Sequence, residues 1–463
     1  MGNFIHTLDT LLWGWPLILL LIGTHIFMTI RTGFIQKDLF KGIKISVSKD
    51  ENDSGDISQF AALTTALSST IGTGNIIGVG TAIALGGPGA VFWMWITGIF
   101  GMATKYAETL IAIKYRVKSE NGTMIGGAMY ALDRGLNMKW LGIIFAFLTA
   151  ICGLGIGCMV QSNSVAQNLY ENFGISPFIT AIILTVIVIL VILNGIKSIA
   201  KVAEKLVPFM AGFYILGCIA ILIMNYQYIP STITTIITSA FHPEAVTGGF
   251  IGVTLSTCCR YGFARGLFSN ESGMGSAPLI ASAAKTKNPK QQALVSMTGT
   301  FWDTVVICLL SGLVIVSCII RFPEIDALSG NGALLSTQAF ASLPISASPI
   351  LITGLITFAF STILGWYYYG ERCSIYLFGE KAILPYKILW IIGVFAGSVL
   401  SLDVIWDFAD FMNGLMAIPN IIAILLLNKV IASETRKYSG THLNDIDTDE
   451  TPTIKNANKG VIG

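Results

Sequence analysis

Apolar runs of about twenty residues or more recur through this 463-residue chain, separated by short polar breaks, and nothing constrains its fold more. They lie near residues 11–31, 59–86, 89–113, 140–168, 178–195, 206–225, 248–283, 292–320, 349–371, 386–401 and 403–428. About twenty consecutive apolar residues cross the hydrocarbon core of a bilayer as a helix. The runs therefore predict an all-α integral membrane protein with eleven transmembrane helices. Composition agrees: 53% of the residues are apolar and 12% charged, against roughly 25% charged in a soluble domain. So few charges cannot clothe a water-soluble surface. This excludes a secreted, nucleic-acid-binding or ordinary cytosolic protein, and a net charge of +2 implies no polyanionic partner.

The eight cysteines form no C-x-x-C pair, and His6, His25, His242 and His442 are scattered singly. No zinc or haem ligand set is legible, and cysteine reads as a small apolar residue within helices. No cofactor is expected. The first apolar run lacks a basic leading region and is long enough to span, so it reads as a helix rather than a cleaved signal.

Lysine and arginine mark cytoplasmic loops. All but four of the 28 basic residues fall on one face of the eleven-span topology. Arg321 sits opposite, while Lys105, Arg260 and Arg265 lie within spans. The expected orientation places the N-terminus outside and the C-terminus in the cytoplasm, in the plasma (inner) membrane. Three regions follow: an extra N-terminal helix and loop at 1–58, a core at 59–428, and a polar tail at 429–463. Rich in Asp, Thr, Asn and Lys, the tail is expected to be disordered.

Two runs are not simple apolar helices. The second contains Ser68-Ser69-Thr70-Ile71-Gly72-Thr73-Gly74-Asn75, and the seventh contains Gly266-Leu267-Phe268-Ser269-Asn270-Glu271-Ser272-Gly273. Each puts glycine and hydrogen-bonding side chains at mid-depth, where leucine and isoleucine cost least. The seventh run, at 36 residues, would measure about 54 Å as one straight helix, well beyond the roughly 30 Å required. A break into half-helices removes the excess, with the two breaks centred on 71–75 and 268–273. With the first span set aside, these runs are the first and sixth of ten, and they enter the membrane from opposite sides. Two five-helix halves of inverted topology, about 59–225 and 248–428, each led by a broken helix, are the pattern of a secondary transporter. Close helix packing through small residues explains one such run but not two at corresponding positions. A channel would favour symmetric rings from several subunits. For a membrane enzyme, no metal cluster, nucleophile elbow or paired carboxylates in one break appear.

Unwinding a helix frees backbone N–H and C=O groups that need partners in hydrocarbon. A half-helix N-terminus suits a carboxylate. Freed carbonyls with Ser, Thr and Asn oxygens suit a dehydrated monovalent cation, and Gly72-Thr73-Gly74-Asn75 supplies all of these.

The segments Ser69–Ile76, Gly266–Pro278 and Phe358-Ala359-Phe360-Ser361-Thr362-Ile363-Leu364-Gly365-Trp366 resemble signature blocks of the alanine or glycine:cation symporter family. Met159–Ser164 and Tyr368–Arg372 are also similar to it. The resemblance runs from about residue 59 to 428 and departs at Ser272, where the family more often has alanine. It implies a leucine-transporter-type fold of five plus five helices. It also implies sodium-driven uptake of a small neutral amino acid such as alanine or glycine. Thr73 and Gly74 would meet the substrate carboxylate through backbone N–H groups, and Phe268 would offer its carbonyl to the ammonium. The resemblance places Gln161 at the substrate, a helix–helix hydrogen bond being its other reading. Ser272 adds a hydroxyl near the site. Thr362 and Trp366 lie one turn apart on one side of their helix, and Trp366 either floors the pocket or packs on a neighbour. Sodium would sit between the carbonyls of Ser68 and Ile71 and the hydroxyls of Ser361 and Thr362. A second sodium site would use Thr70, Asn75 and Asn270.

Intramembrane charges cost about 2.5–3.5 kcal/mol each on insertion scales. Glu271 sits in the second break, where it can brace unwound backbone, pair with a base or bind a proton. Asp303 lies inside the eighth run and is the other candidate for proton coupling, the competing mechanism. Asp403, Asp407 and Asp410 line one side of the last run, and Glu371–Arg372 read as a gate or a solvated pair at the cytoplasmic edge.

Overall fold

In a computed structural model the described residues are 2–48, 55–119, 121–242, 253–325, 327, 330–342, 347–400 and 403–454. Among these residues the fold is helical apart from a short hairpin of two-residue strands, β1 (Val117–Lys118) and β2 (Met124–Ile125), paired with Val117 opposite Ile125. Along the first half run α1 (Gly2–Leu12), α2 (Trp15–Arg31), α3 (Leu39–Ser46), α4 (Gln59–Thr70), α5 (Ile77–Gly86), α6 (Ala90–Lys114), α7 (Lys139–Phe173), α8 (Pro177–Ile192), α9 (Ile196–Met224) and α10 (Ile229–Phe241). The second half has α11 (Leu255–Asn270), α12 (Ala277–Ala281), α13 (Pro289–Arg321), α14 (Gly332–Ala341), α15 (Ser348–Phe378), α16 (Ile383–Val399), α17 (Asp403–Leu426) and α18 (Asn428–Lys437). Among the described residues, six helices are long and apolar enough to cross a membrane unaided: α7, α9, α13, α15, α16 with its leading turn, and α17 from Ile405.

Burial sorts these helices into an inner and an outer set. On α8, α9 and α16, Leu190, Leu216, Ile223 and Leu384 are each more than 60% exposed, as a hydrocarbon-facing surface requires. The inner helices α4, α6, α13 and α15 bury even their polar residues, among them Thr64, Ser68, Thr104, Gln292, Thr298 and Ser361. Side-chain caps set several boundaries. Ser58 Oγ accepts the Ala61 N–H at 3.0 Å to start α4, and Asn288 Oδ1 accepts the Gln291 N–H at 3.0 Å to start α13.

Both expected breaks are present. The first separates α4 from α5. The second separates α11 from α12 at residues 271–276, three residues later than expected, because helix continues through Phe268, Ser269 and Asn270. The seventh run is also shorter than expected: α11 begins at Leu255, and residues 248–252 lie outside the described residues.

Other expectations need correction. The tail is not wholly unstructured. α18 buries Ile431 and Ala432, and Lys114 bridges to Glu434 at 2.9 Å and to Asp449 at 2.5 Å. Asn288 Nδ2 donates to the Leu443 and Asp445 carbonyls, and the Lys118 N–H to Pro452. A polar segment too poor in apolar residues to fold alone gains order from partners on the core, and residues 455–463 lie outside the described residues. Helices α10 and α14 occupy stretches read as loops; both are too short and polar to register as spans. Glu371 and Arg372 form a 2.7 Å pair with side chains only 5% and 11% exposed, and the guanidinium lies 4.9 Å from the Tyr368 ring. That pair is buried, not solvated.

Candidate functional site

The first break follows from where α4 runs out of partners. The Ile71 N–H closes the last helical bond, onto Leu67. The chain then turns extended at Gly72, whose N–H donates to Asn75 Oδ1 at 2.8 Å. One tight turn over Thr73–Asn75 leads into α5. The terminal carbonyls of α4 are thereby left without intrahelical donors. Two of them face α15. Ser361 Oγ lies 3.1 Å from the Ser68 carbonyl oxygen and Thr362 Oγ1 3.5 Å from that of Ile71. Both hydroxyls also lie within donating reach of the Phe358 carbonyl at 2.9 Å, so each can turn its one hydrogen either way. Gly365 permits this approach: a methyl there would stand 2.7 Å from Ser69 Cβ and 2.9 Å from Ser68 Oγ. The four oxygen sources expected for a sodium ion are thus brought together, in an uncharged and fully buried setting.

The same break adjoins a small cavity lined by Gly72, Thr73, Gly74, Gln161, Phe268, Thr362 and Trp366, with Ser69, Thr70, Ile156, Ser269, Glu271 and Asn413. The first break meets the last turn of α11 here, since a methyl on Gly74 would lie 3.4 Å from Phe268 Cδ1 and 3.5 Å from Ser269 Cα. Its volume is only about 20 Å³, room for about one water. The walls are closed on each other. A larger cavity of about 430 Å³ adjoins it, sharing Thr73, Gly74 and Phe268 and lined also by Asp9, Trp13, Arg260, Arg265, Trp406, Asp407 and Asp410. Arg265 and Asp410 lie 3.8 Å apart there, and the Arg265 guanidinium is 5.7 Å from the Phe268 ring. The side chain of Asp403 lies outside the description.

Gln161 owes its orientation to α7, which is π-helical over Gly153–Val160, a distortion that often marks functional sites. Its Nε2 donates to the Ile156 carbonyl at 3.1 Å and to Thr73 Oγ1 at 3.4 Å, while its buried Oε1 meets no protein donor. An unmatched buried acceptor costs about 1–3 kcal/mol, and this one faces the cavity. Trp366 combines its two readings. It lines the cavity and also packs on the π-bulge, where a methyl on Gly157 would stand 2.2 Å from Trp366 Cβ.

Several expected residues are placed differently. Phe268 lies in the last turn of α11, not in the break. Its carbonyl is still the one to free, because the Ser272 N–H, four residues on, donates to Asn270 Oδ1 at 2.9 Å. Ser272 itself faces away from the cavity and bonds Thr300 at 3.0 Å, because Glu271 takes a left-handed turn (φ 51°) that redirects the chain. Of the oxygens expected at a second sodium site, Asn75 Oδ1 accepts the Gly72 N–H, Asn270 Oδ1 accepts the Ser272 N–H, and the Thr70 hydroxyl donates to the Ala66 carbonyl, so each already has a protein partner.

The role imagined for Glu271, bracing unwound backbone, belongs to Glu108 on α6. Glu108 Oε2 accepts the N–H groups of Gly273 at 3.1 Å and Gly275 at 3.2 Å, and Asn420 Nδ2 at 2.9 Å. Glu271 instead accepts a short hydrogen bond from Ser276, and its carbonyl takes Lys105 Nζ at 3.0 Å. Lys105 and Glu108 pair at 3.1 Å, almost fully buried. The sequence did carry a signal: opposite charges three residues apart on one face of an apolar run. Asp303, on the π-helical stretch of α13, accepts Asn75 Nδ2 at 2.7 Å and Ser269 Oγ at 2.9 Å, joining the first break to α11.

The model of the sodium:alanine symporter family matches residues 1–452. The chain is similar to the sodium/alanine symporter AgcS of Methanococcus maripaludis, 49% identical over 451 residues that cover 96% of this chain and 98% of that one. Among solved structures it resembles MhsT in complex with L-phenylalanine, with a TM-score of 0.56, 12% identity, and coverage of 84% of this chain and all of that one. It likewise resembles a Na⁺-coupled sialic acid symporter in a substrate-bound outward-open state, with a TM-score of 0.55, 13% identity, and coverage of 90% and 87%. At such identities these likenesses speak to fold alone, and the fold is that of the leucine-transporter type. On the family match and the similarity to AgcS, the chain belongs to the sodium:alanine symporter family, a family of multi-pass membrane transporters.

Proposed function

We propose that the chain is a sodium-coupled symporter that imports a small neutral amino acid, alanine or glycine or a close relative, by alternating access. The observation that carries the reading is the pairing of Ser361 and Thr362 hydroxyls with the Ser68 and Ile71 carbonyls beside the cavity at Gly72–Gly74. Sodium binds there through uncharged oxygens that cannot titrate between pH 5 and 8. The amino acid's carboxylate faces the Thr73 and Gly74 N–H groups at the positive end of α5, and its ammonium the carbonyl of Phe268. Gln161 Oε1 supplies a further acceptor. Thr362 serves both solutes, which links their binding in the sense that coupling requires.

The contracted cavity supports a closed state that parts to admit solute, the vestibule at Arg265 and Asp410 being the outer approach. Trp366 limits side-chain size. The N-terminus lies outside and the C-terminus in the cytoplasm, with eleven spans arranged as two inverted five-helix halves after one extra helix. Glu271, which lines the cavity, favours a second reading in which a proton replaces sodium. Competition uptake in proteoliposomes, with labelled alanine against a panel of amino acids and with or without a sodium gradient, tests the proposal. Inhibition by glycine and serine but not by tryptophan or arginine, only with sodium present, is expected.

A further inference from the structure

Two of the buried carboxylates outside the cavity, Glu108 and Asp303, form a pattern. Glu108 sits on α6, which follows the first broken helix (α4 and α5), and three donors to its Oε2 come from the second break and from α17. Asp303 sits on α13, which follows the second broken helix (α11 and α12), and it holds Asn75 of the first break. Asn75 in turn holds the Gly72 N–H through its other amide atom. Each acid therefore reaches across to the broken helix of the opposite half. Neither side chain lines the cavity.

We propose that Glu108 and Asp303 are crossed positioning residues, each fixing the backbone of the other half's break so that the two breaks are presented to solute in register. The chemistry of both contacts fits. Gly273 and Gly275 adopt positive φ, 90° and 80°, a conformation that leaves their N–H groups pointing to one side, and a single charged oxygen collects both. Charged acceptors make the stronger hydrogen bonds. Lys105 balances the charge of Glu108 and holds the Glu271 carbonyl, so the whole turn is gripped from α6. The extra helix α2 closes the other side, since a methyl on Gly273 would meet Leu21 Cδ2 at 2.9 Å. Asp303 acts through an intermediary: its Oδ1 fixes the rotamer of the Asn75 amide, so that Oδ1 of that amide faces Gly72. Its Oδ2 holds Ser269 and Thr304, tying the first break to the last turn of α11.

The functional consequence rests on the transport reading, but the geometry does not, and the test separates them. Amide hydrogen exchange is followed by mass spectrometry on the purified full-length protein, without solute or sodium, in windows covering 71–76 and 271–276. Glu108→Gln keeps the shape but weakens two N–H bonds at once, and about tenfold faster exchange is expected in 271–276, with 71–76 unchanged. Asp303→Asn should do the reverse. If Glu108→Gln fails to fold because Lys105 is stranded, the pair Lys105→Met with Glu108→Gln removes both charges and should show the same local acceleration. Acceleration in both windows alike, or in neither, overturns the proposal. Alanine uptake by the same variants is measured separately. A lowered maximal rate with little change in half-saturation is what positioning predicts, whereas no uptake by the parent protein speaks against the transport reading alone.

Discussion

The most searching substitution is Gly365→Ala, which tests whether α4 and α15 form a cation site by their closeness. The new methyl would stand 2.7 Å from Ser69 Cβ, 2.9 Å from Ser68 Oγ and 3.0 Å from the Ser69 nitrogen. Carbon atoms pack no closer than about 3.5 Å without repulsion. The two helices must then part by about 0.8 Å, drawing the Ser361 and Thr362 hydroxyls from carbonyls now 3.1 and 3.5 Å away. Overpacking of this kind costs about 1–3 kcal/mol, against which helix propensity returns about 0.5–1 kcal/mol for Gly→Ala. Most of the cost should fall on the sodium-loaded state, which needs the oxygens drawn together. A loss of 1–3 kcal/mol is about 5- to 150-fold in affinity. Sodium half-saturation of alanine uptake should therefore rise about tenfold, and sodium should protect the purified variant less against heat. Gly212→Ala on α9, where nothing lies within 4 Å, is the matched control. A half-saturation within twofold of the parent in Gly365→Ala, with normal folding, would refute the assignment of a cation to this interface.

Trp366→Ala should weaken alanine uptake while admitting larger side chains, read by competition; unchanged selectivity would leave Trp366 a packing residue only. Gly157→Ala, whose methyl would meet Trp366 Cβ at 2.2 Å, should push the ring into the cavity and abolish uptake without unfolding the protein, as thermal melting will show. Ser361→Ala with Thr362→Ala should raise sodium half-saturation more than it lowers alanine affinity at saturating sodium. The tail offers a test of another kind. Lys114 beside Asp449 holds that carboxyl below its ordinary value of 3.8, so this contact is fully present above that value and is lost only as pH falls through the lowered one. Amide exchange over 440–454 should then be equally protected at pH 7 and 5. Because the pair is partly exposed, Lys114→Ala should speed that exchange no more than about fivefold.

The broken helices were legible because glycine, serine and threonine at mid-depth have no apolar reason to be there. The oxygens proposed for the cation were also named from the sequence, and the structure sets the Ser361 and Thr362 hydroxyls beside the Ser68 and Ile71 carbonyls. Spacing along one chain does not reveal which face of a helix meets which neighbour. Asn75 and Asp303 are 228 residues apart, and nothing local to either shows that the amide will be spent on Gly72 instead of a cation. The same limit hid Glu108. Its pairing with Lys105 was visible as spacing, but the two glycine N–H groups it collects are set by the left-handed turns of the second break. Ser272 was misplaced for a related reason, since one residue at positive φ reverses the side-chain direction that helical spacing assumes. Beyond its own helix and short-range pairs, the tail's order comes from partners on the core, and no local composition records those.

Coupling is the centre of this account, and alanine accumulation in proteoliposomes measures it most directly. An inward sodium gradient at equal pH should drive labelled alanine above its external concentration, and a sodium ionophore should collapse that accumulation. An inward proton gradient in sodium-free buffer should drive none. Accumulation in the sodium-free, proton-driven arm, abolished by Glu271→Gln and indifferent to Ser361→Ala with Thr362→Ala, would contradict it.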